Sequence, residues 1–282
     1  MSSAIGQSTS LSSPDRVGYD VSTAMADKPT QDPDQKRMTV GEHLEELRQR
    51  LIYSLCAIAA GMAICLTFAS RIVALLEGPY MRAMESLELQ PRLIVLEVSG
   101  GLTTVLKVAF YAGLVIASPV VIHQTWLFVA AGLYERERRH VRWAVPFSAA
   151  LFVAGAAFFL MAISERIIYY LLGLSVWLGI TPTITFASFI GFMLKMMVVF
   201  GVAFQTPLAI VVLTAAGLVG PGKLSHFRRH VIVAILILAA LLTPPDPFSQ
   251  IALALPMWLL YELGVLLSWL YVRKRGDRRE TS

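Results

Sequence analysis

Apolar residues come in long uninterrupted blocks along this chain, separated by short polar stretches. Leu51–Ser70, Val108–Tyr134, Trp143–Ser164 and Met196–Gly222 each hold at most one charge. Each runs for about 20 residues or more, enough for a helix rising about 1.5 Å per residue to cross about 30 Å of hydrocarbon. Two further runs, Val231–Thr243 and Ile251–Val272, flank Pro244-Pro245-Asp246-Pro247, where three prolines forbid a continuous helix, and read as a hairpin. The first run makes only about 20 Å of helix, so it must thin the bilayer, borrow flanking polar residues or fail to cross. The pattern predicts an all-α membrane protein of six transmembrane helices over residues 38–272, the last two helices short.

Just before the first block, Thr39-Val40-Gly41-Glu42 has the spacing of a capping box and marks a helix start. From there Val40, Leu44, Leu47 and Leu51 fall on one stripe and Glu42, Glu46 and Arg50 on another. That spacing predicts a short amphipathic helix at the membrane surface.

Composition agrees with a lipid environment: 56% of residues are hydrophobic and 15% charged, where a soluble domain carries about 25% charged residues. Of the 24 lysines and arginines, 18 fall before Leu51, at Arg136–Arg142, at Lys223–Arg229 and after Val272. Short positively charged segments stay cytoplasmic, so both termini are expected there. Residues 1–37 are rich in Ser, Asp, Thr and Pro and read as a disordered cytoplasmic tail; residues 273–282 read as a basic one. The net charge of +5 lies in juxtamembrane clusters and points to anionic lipid headgroups rather than nucleic acid. Cys56 and Cys65, nine residues apart on one helix, sit about 13 Å apart, beyond disulfide reach. His226 and His230 have metal-like spacing but no carboxylate or cysteine beside them, so no metal site is expected. No nucleophile elbow, zincin, phosphate-loop or dinucleotide motif appears, so neither an enzyme nor a cofactor is expected.

Two carboxylate clusters carry the candidate chemistry. Glu42 and Glu46 precede the first block, and Glu135 and Glu137 lie in the loop Tyr134-Glu135-Arg136-Glu137-Arg138-Arg139. Taken alone, the first reads as a solvated face with Glu46 and Arg50 as an i, i+4 pair, and the second as a helix-capping turn. Both fall on one expected membrane face, however, and carboxylates pair bidentately with guanidinium groups, so together they can also receive a substrate bearing adjacent arginines.

His43-Leu44-Glu45-Glu46-Leu47-Arg48-Gln49-Arg50-Leu51 resembles the opening signature of the TatC family, the Sec-independent (twin-arginine) protein translocase subunits. Ser118–Ala130 followed by Leu133-Tyr134 and Glu137-Arg138-Arg139 is similar to that family's second helix and first cytoplasmic loop. Phe200–Pro207 resembles its fourth helix, and Leu242–Gln250 its last periplasmic turn. The resemblance covers roughly Thr39 to Val272. It implies an inner-membrane receptor for the twin-arginine signal peptides of folded exported proteins, working with the single-span subunits TatA and TatB and driven by the proton gradient. By the same resemblance Glu46 and Glu137 contact the twin arginines, Arg48 is the essential arginine of the signature, and Phe128 lies beside the signal-peptide site. Pro79 shapes the first periplasmic segment, and Asp246 and Gln250 hold a periplasmic cap.

Gln205 is expected near mid-membrane, where an amide usually marks an internal partner. The resemblance makes it a docking point for TatA or TatB, at a position where many family members carry glutamate. Glu262 interrupts the last apolar run and calls for an internal polar partner, while Lys107 and Lys195 lie near the ends of theirs and can snorkel. Ile163-Ser164-Glu165-Arg166 departs from the apolar stretch ending in proline that the family pattern leads one to expect. A secondary solute transporter is the alternative, but it would show repeated halves and a midplane site, and no repeat is visible. A passive membrane scaffold is the third possibility.

Overall fold

The computed structural model describes residues 40–90, 92–131, 135–243 and 247–280, with side chains over 41–90, 92–128, 145–243 and 247–273. The expected disordered tail, the Thr39 cap and Asp246 lie outside the described residues. The chain runs through α1 (Val40–Thr67), α2 (Ala69–Ser86), β1 (Leu93–Ile94), α3 (Gly100–Ala131) and α4 (Glu135–Phe158). A π turn (Phe159–Ile163) carries α4 directly into α5 (Ser164–Trp177). Then follow β2 (Ile184–Thr185), α6 (Phe186–Ala203), α7 (Thr206–Ala215), α8 (Pro221–His226), α9 (Arg228–Leu242) and α10 (Pro247–Glu280).

Among the described residues five stretches are long and apolar enough to cross a membrane: Gly41–Thr67, Gly100–Phe128, Val145–Trp177, Phe186–Ala215 and Pro247–Arg273. The protein is thus a helical membrane protein, and its span boundaries correct the sequence reading in four places. The surface helix expected before Leu51 is continuous with the first span as one 28-residue helix. The third span passes Ser164, because the π turn absorbs the irregularity and the Ser164 hydroxyl bonds back to the Leu160 carbonyl at 2.7 Å. The fourth begins at Phe186, ten residues before Met196, since a single lysine, Lys195, interrupts the apolar run without breaking the helix. The last helix is not short: α10 has 34 residues, its basic end continuing the helix to Glu280.

By contrast α9 has only 15 residues, and it accompanies only the first half of α10. Arg228, its first residue, meets Glu262, the sixteenth of α10, at 2.8 Å. Glu262 therefore has the polar partner that its place in an apolar run called for. Beyond it α10 packs on α7, with Ser268 and Thr214 sharing a hydrogen bond at 2.8 Å.

Small residues set the closest helix contacts. A Cβ on Gly61 of α1 would stand 2.6 Å from the Gly113 carbonyl of α3, and one on Gly155 of α4 would stand 2.5 Å from that of Phe200 in α6. In lipid, where burying apolar side chains drives little, such backbone approaches supply the packing that holds helices together. The largest buried cluster gathers α2, α5 and α6 around Tyr80, Phe159, Ile190 and Phe200. α2 was not foreseen as an element. Its buried positions Leu76, Tyr80, Ala83 and Met84 follow helical spacing, and the buried Pro79 lies within it. The Tyr80 phenol is pushed up by burial, an effect its bond to the Arg92 carbonyl at 3.1 Å opposes. Arg82 on the outer face pairs with Glu165 of α5 at 2.6 Å, which gives the unexpected Ser164-Glu165-Arg166 segment a partner. β1 and β2 form a two-residue parallel ladder, Leu93 with Ile184 and Ile94 with Thr185, which holds the starts of α3 and α6 together.

Candidate functional site

The first two turns of α1 are turned opposite to the way a water-soluble amphipathic helix lies. Leu44 and Leu51 are 59% and 55% exposed, whereas the Glu46 side chain keeps only 13% of its surface. Lipid reverses the usual sorting: apolar residues meet the hydrocarbon, and the polar stripe turns toward the neighbouring helix, where it finds partners. The inward stripe continues through Arg50 and Ser54 to the Gly61 crossing and the buried Cys65. Cys56 lies on the exposed side, and both thiols are free.

On that stripe the Arg50 guanidinium reaches the Glu46 carboxylate at 3.2 Å and the Gln124 side-chain carbonyl of α3 at 3.1 Å. One turn earlier, the His43 ring stacks on Phe128 of α3, centroids 4.4 Å apart and planes 21° from parallel. Gln124 and Phe128 are four positions apart, so both project from one face of α3, and its antiparallel course places them beside the start of α1. The other Glu46 carboxylate oxygen and the Arg50 Nε are buried, and neither has a partner among the described residues. Among the described residues that oxygen is an unfilled acceptor, a group that a guanidinium satisfies with a charge-assisted hydrogen bond.

The remaining candidates are distributed as follows. Arg48 lies on the exposed side of α1, 3.6 Å from Glu45 with both side chains more than two-thirds exposed, and does not join the stripe. Glu137 is the third residue of α4, its side chain outside the described residues. Gln205 lies at the joint between α6 and α7, displaced from the centre of a span that runs from Phe186 to Ala215. Its amide donates to the Ser148 carbonyl at 3.0 Å, and its carbonyl oxygen accepts from the Ser148 hydroxyl, which in turn accepts from Trp126 Nε1 at 3.0 Å. The amide in the span thus has its internal partner, on α4. Gln250, near the start of α10, donates to the Leu236 carbonyl of α9 at 3.0 Å and ties the hairpin together.

Sequence reasoning gave no part to His43, Gln124, Trp126 or Ser148. The signal for the first two was the shared face of each helix, positions 43, 46 and 50 on α1 and 124 and 128 on α3. The link between Trp126 and Ser148 depends on helix pairing, which no local spacing discloses.

Comparison with known proteins bears on what this arrangement serves. Residues 42–256 match the sequence profile of the family described as Sec-independent protein translocase protein (TatC). A protein of that name from Aquifex aeolicus (strain VF5) is 35% identical over 241 residues, 85% of this chain and 98% of its own length. One from Escherichia coli (strain K12) is 34% identical over 238 residues, 84% of this chain and 91% of its own. A crystal structure of the twin arginine translocase receptor TatC, at 35% identity, matches with a TM-score of 0.73 over 81% of this chain and 99% of that one. With the family profile, two relatives over most of their length and a solved fold in agreement, this chain belongs to the TatC family of Sec-independent protein translocase proteins.

Proposed function

We propose that the protein is the receptor and core subunit of the twin-arginine translocase. It binds the twin-arginine signal peptides of folded proteins and scaffolds their export across the bacterial inner membrane. In this reading six helices cross the membrane with both termini cytoplasmic, as the lysine and arginine distribution favours. The Glu46 end of the bundle is then cytoplasmic. The signal's arginines dock on Glu46 and on Glu137 at the start of α4, Phe128 flanks them, and Arg48 holds the surface beside them. The apolar part of the signal enters between the helices. TatA and TatB, the single-span partners, dock at the Gln205 joint, while Pro79, Asp246 and Gln250 shape the periplasmic side. The subunit recognises and assembles; it performs no covalent chemistry.

The observation that carries this reading is the inward-turned Glu46 carboxylate, buried at the bundle end with one oxygen unfilled among the described residues. A hydrogen bond to a charged group contributes about 1.5–3 kcal/mol, or roughly ten- to hundredfold in affinity. The test is binding of a twin-arginine signal peptide to the purified protein, against the same peptide with both arginines changed to lysine. The arginine peptide should bind at least about tenfold tighter. Glu46→Ala and Glu137→Ala should each erase most of that difference. Equal binding of the two peptides would refute the receptor role.

A further inference from the structure

At the end of the bundle opposite Glu46, a cavity of about 670 Å³ opens between α3 and α6 under the β1 segment. Two lysines line it, one from each helix. Lys107 is the eighth residue of α3 and Lys195 the tenth of α6, about 10 and 14 Å along their spans. Both are exposed, and neither has a hydrogen bond or ion pair among the described residues. Glu97 is the one carboxylate among the lining residues, and it pairs with neither lysine.

An unpaired ammonium this far into a span is costly unless an anion or water reaches it. Snorkelling can relieve each lysine separately, but a shared anion also explains why two from adjacent helices open on one chamber. The chamber's other walls add to its positive character. Gly100 and Thr103 belong to the first turn of α3, and Phe186 and Ser188 to that of α6, so two helix N-termini face the same space. Beside Lys107, the outer face of α3 presents Leu102, Leu106 and Phe110, all exposed and spaced four residues apart. That apolar track lies one position round the helix from the lining residues Thr103, Lys107 and Tyr111 and runs along the span, as an acyl chain would.

From this juxtaposition we infer that the cavity binds a phosphate group, that of one membrane phospholipid, with Lys107 and Lys195 as its ligands and the acyl chains lying along the α3 track. The site stands apart from the signal-peptide reading and does not depend on it.

The test is native mass spectrometry of the full-length protein in detergent, titrated with phosphatidylglycerol. The wild-type protein should retain one tightly bound lipid. The double variant Lys107→Gln, Lys195→Gln should weaken its binding about tenfold or more, the equivalent of one charge-assisted contact. Lys107→Arg, Lys195→Arg should hold the lipid as the wild type does, which separates loss of charge from loss of fold. Millimolar inorganic phosphate distinguishes the source of the ligand. If it leaves the lipid in place, the site takes a lipid headgroup; if it displaces the lipid one for one from the wild type, the site is a phosphate site filled from solution. Equal lipid retention by the wild-type and glutamine proteins overturns the inference, as does an arginine variant that binds no better than the glutamine one.

Discussion

Ser148 joins three helices through one hydroxyl, accepting from Trp126 and donating to Gln205, whose amide returns to the Ser148 carbonyl. Because water is scarce inside the bundle, none of these groups has an easy substitute partner. Replacing Gln205 with leucine removes an acceptor and two donations and leaves the Ser148 hydroxyl to find another acceptor. The expected loss is about 1–3 kcal/mol, read as a lower melting temperature in detergent; an unchanged melting temperature would mean that α4 is held to the α6–α7 joint by packing alone. The residue scale is also where local spacing is most informative. The i, i+4 pairing of Glu46 with Arg50 is legible in the sequence and present at 3.2 Å. Its burial is not legible, because a polar stripe with flanking leucines looks the same whether water or a helix lies on its polar side. Nor is the bond from Arg50 to Gln124, across 74 residues, since it follows from how α3 lies against α1.

The helix elements are held at close range by glycine. On Gly113 a Cβ would lie 2.6 Å from the Met62 nitrogen and 2.8 Å from its Cα, both backbone atoms with no rotamer to yield. Gly113→Val should therefore push α1 off α3 and destabilise the protein by about 1–3 kcal/mol. On the proposed receptor role it should also weaken binding of a twin-arginine signal peptide, since the Arg50–Gln124 bond spans that interface. Wild-type binding by this variant would show that the site survives on α1 alone. A second element-scale prediction concerns the end of α2, where Glu88 adopts φ 57 and the Leu89 amide closes back on the Met84 carbonyl at 3.0 Å. Gly179 and Gly217 occupy the matching left-handed positions after α5 and α7. Glu88→Gly should raise stability by about 1 kcal/mol, visible as a higher melting temperature, because a side chain at that backbone angle is strained. Hydropathy finds long spans well and finds α2 poorly, since Arg71, Glu77, Arg82 and Glu85 keep its average low while only one face is buried. The β1–β2 ladder, two residues a side, has no period to read.

At the scale of the whole molecule, the carboxyl-terminal hairpin decides how many times the chain crosses the bilayer. Helix α9 has 15 residues, about 22 Å against about 30 Å of hydrocarbon, and its first residue stands level with the middle of the α10 span through the Arg228–Glu262 bond. Two helices of such unequal reach side by side require the bilayer to thin around α9, with Arg228 drawing polar headgroups or water inward, or else α9 stops short and the hairpin tip stays buried. Counting lysines and arginines cannot choose, because both ends of the hairpin carry positive charge in either case. Pro247, exposed at the start of α10, can decide it. In a Cys56→Ala, Cys65→Ala background, a cysteine at 247 should react with a membrane-impermeant maleimide from the periplasmic side of intact cells, and one at Gly41 only after lysis. That pattern places the tip outside and the start of α1 inside, giving six crossings. If the cysteine at 247 stays unlabelled from outside while an exposed position beside β1, such as Val98, is labelled, α9 does not cross, and the charged Arg228–Glu262 pair marks the floor of a re-entrant hairpin instead.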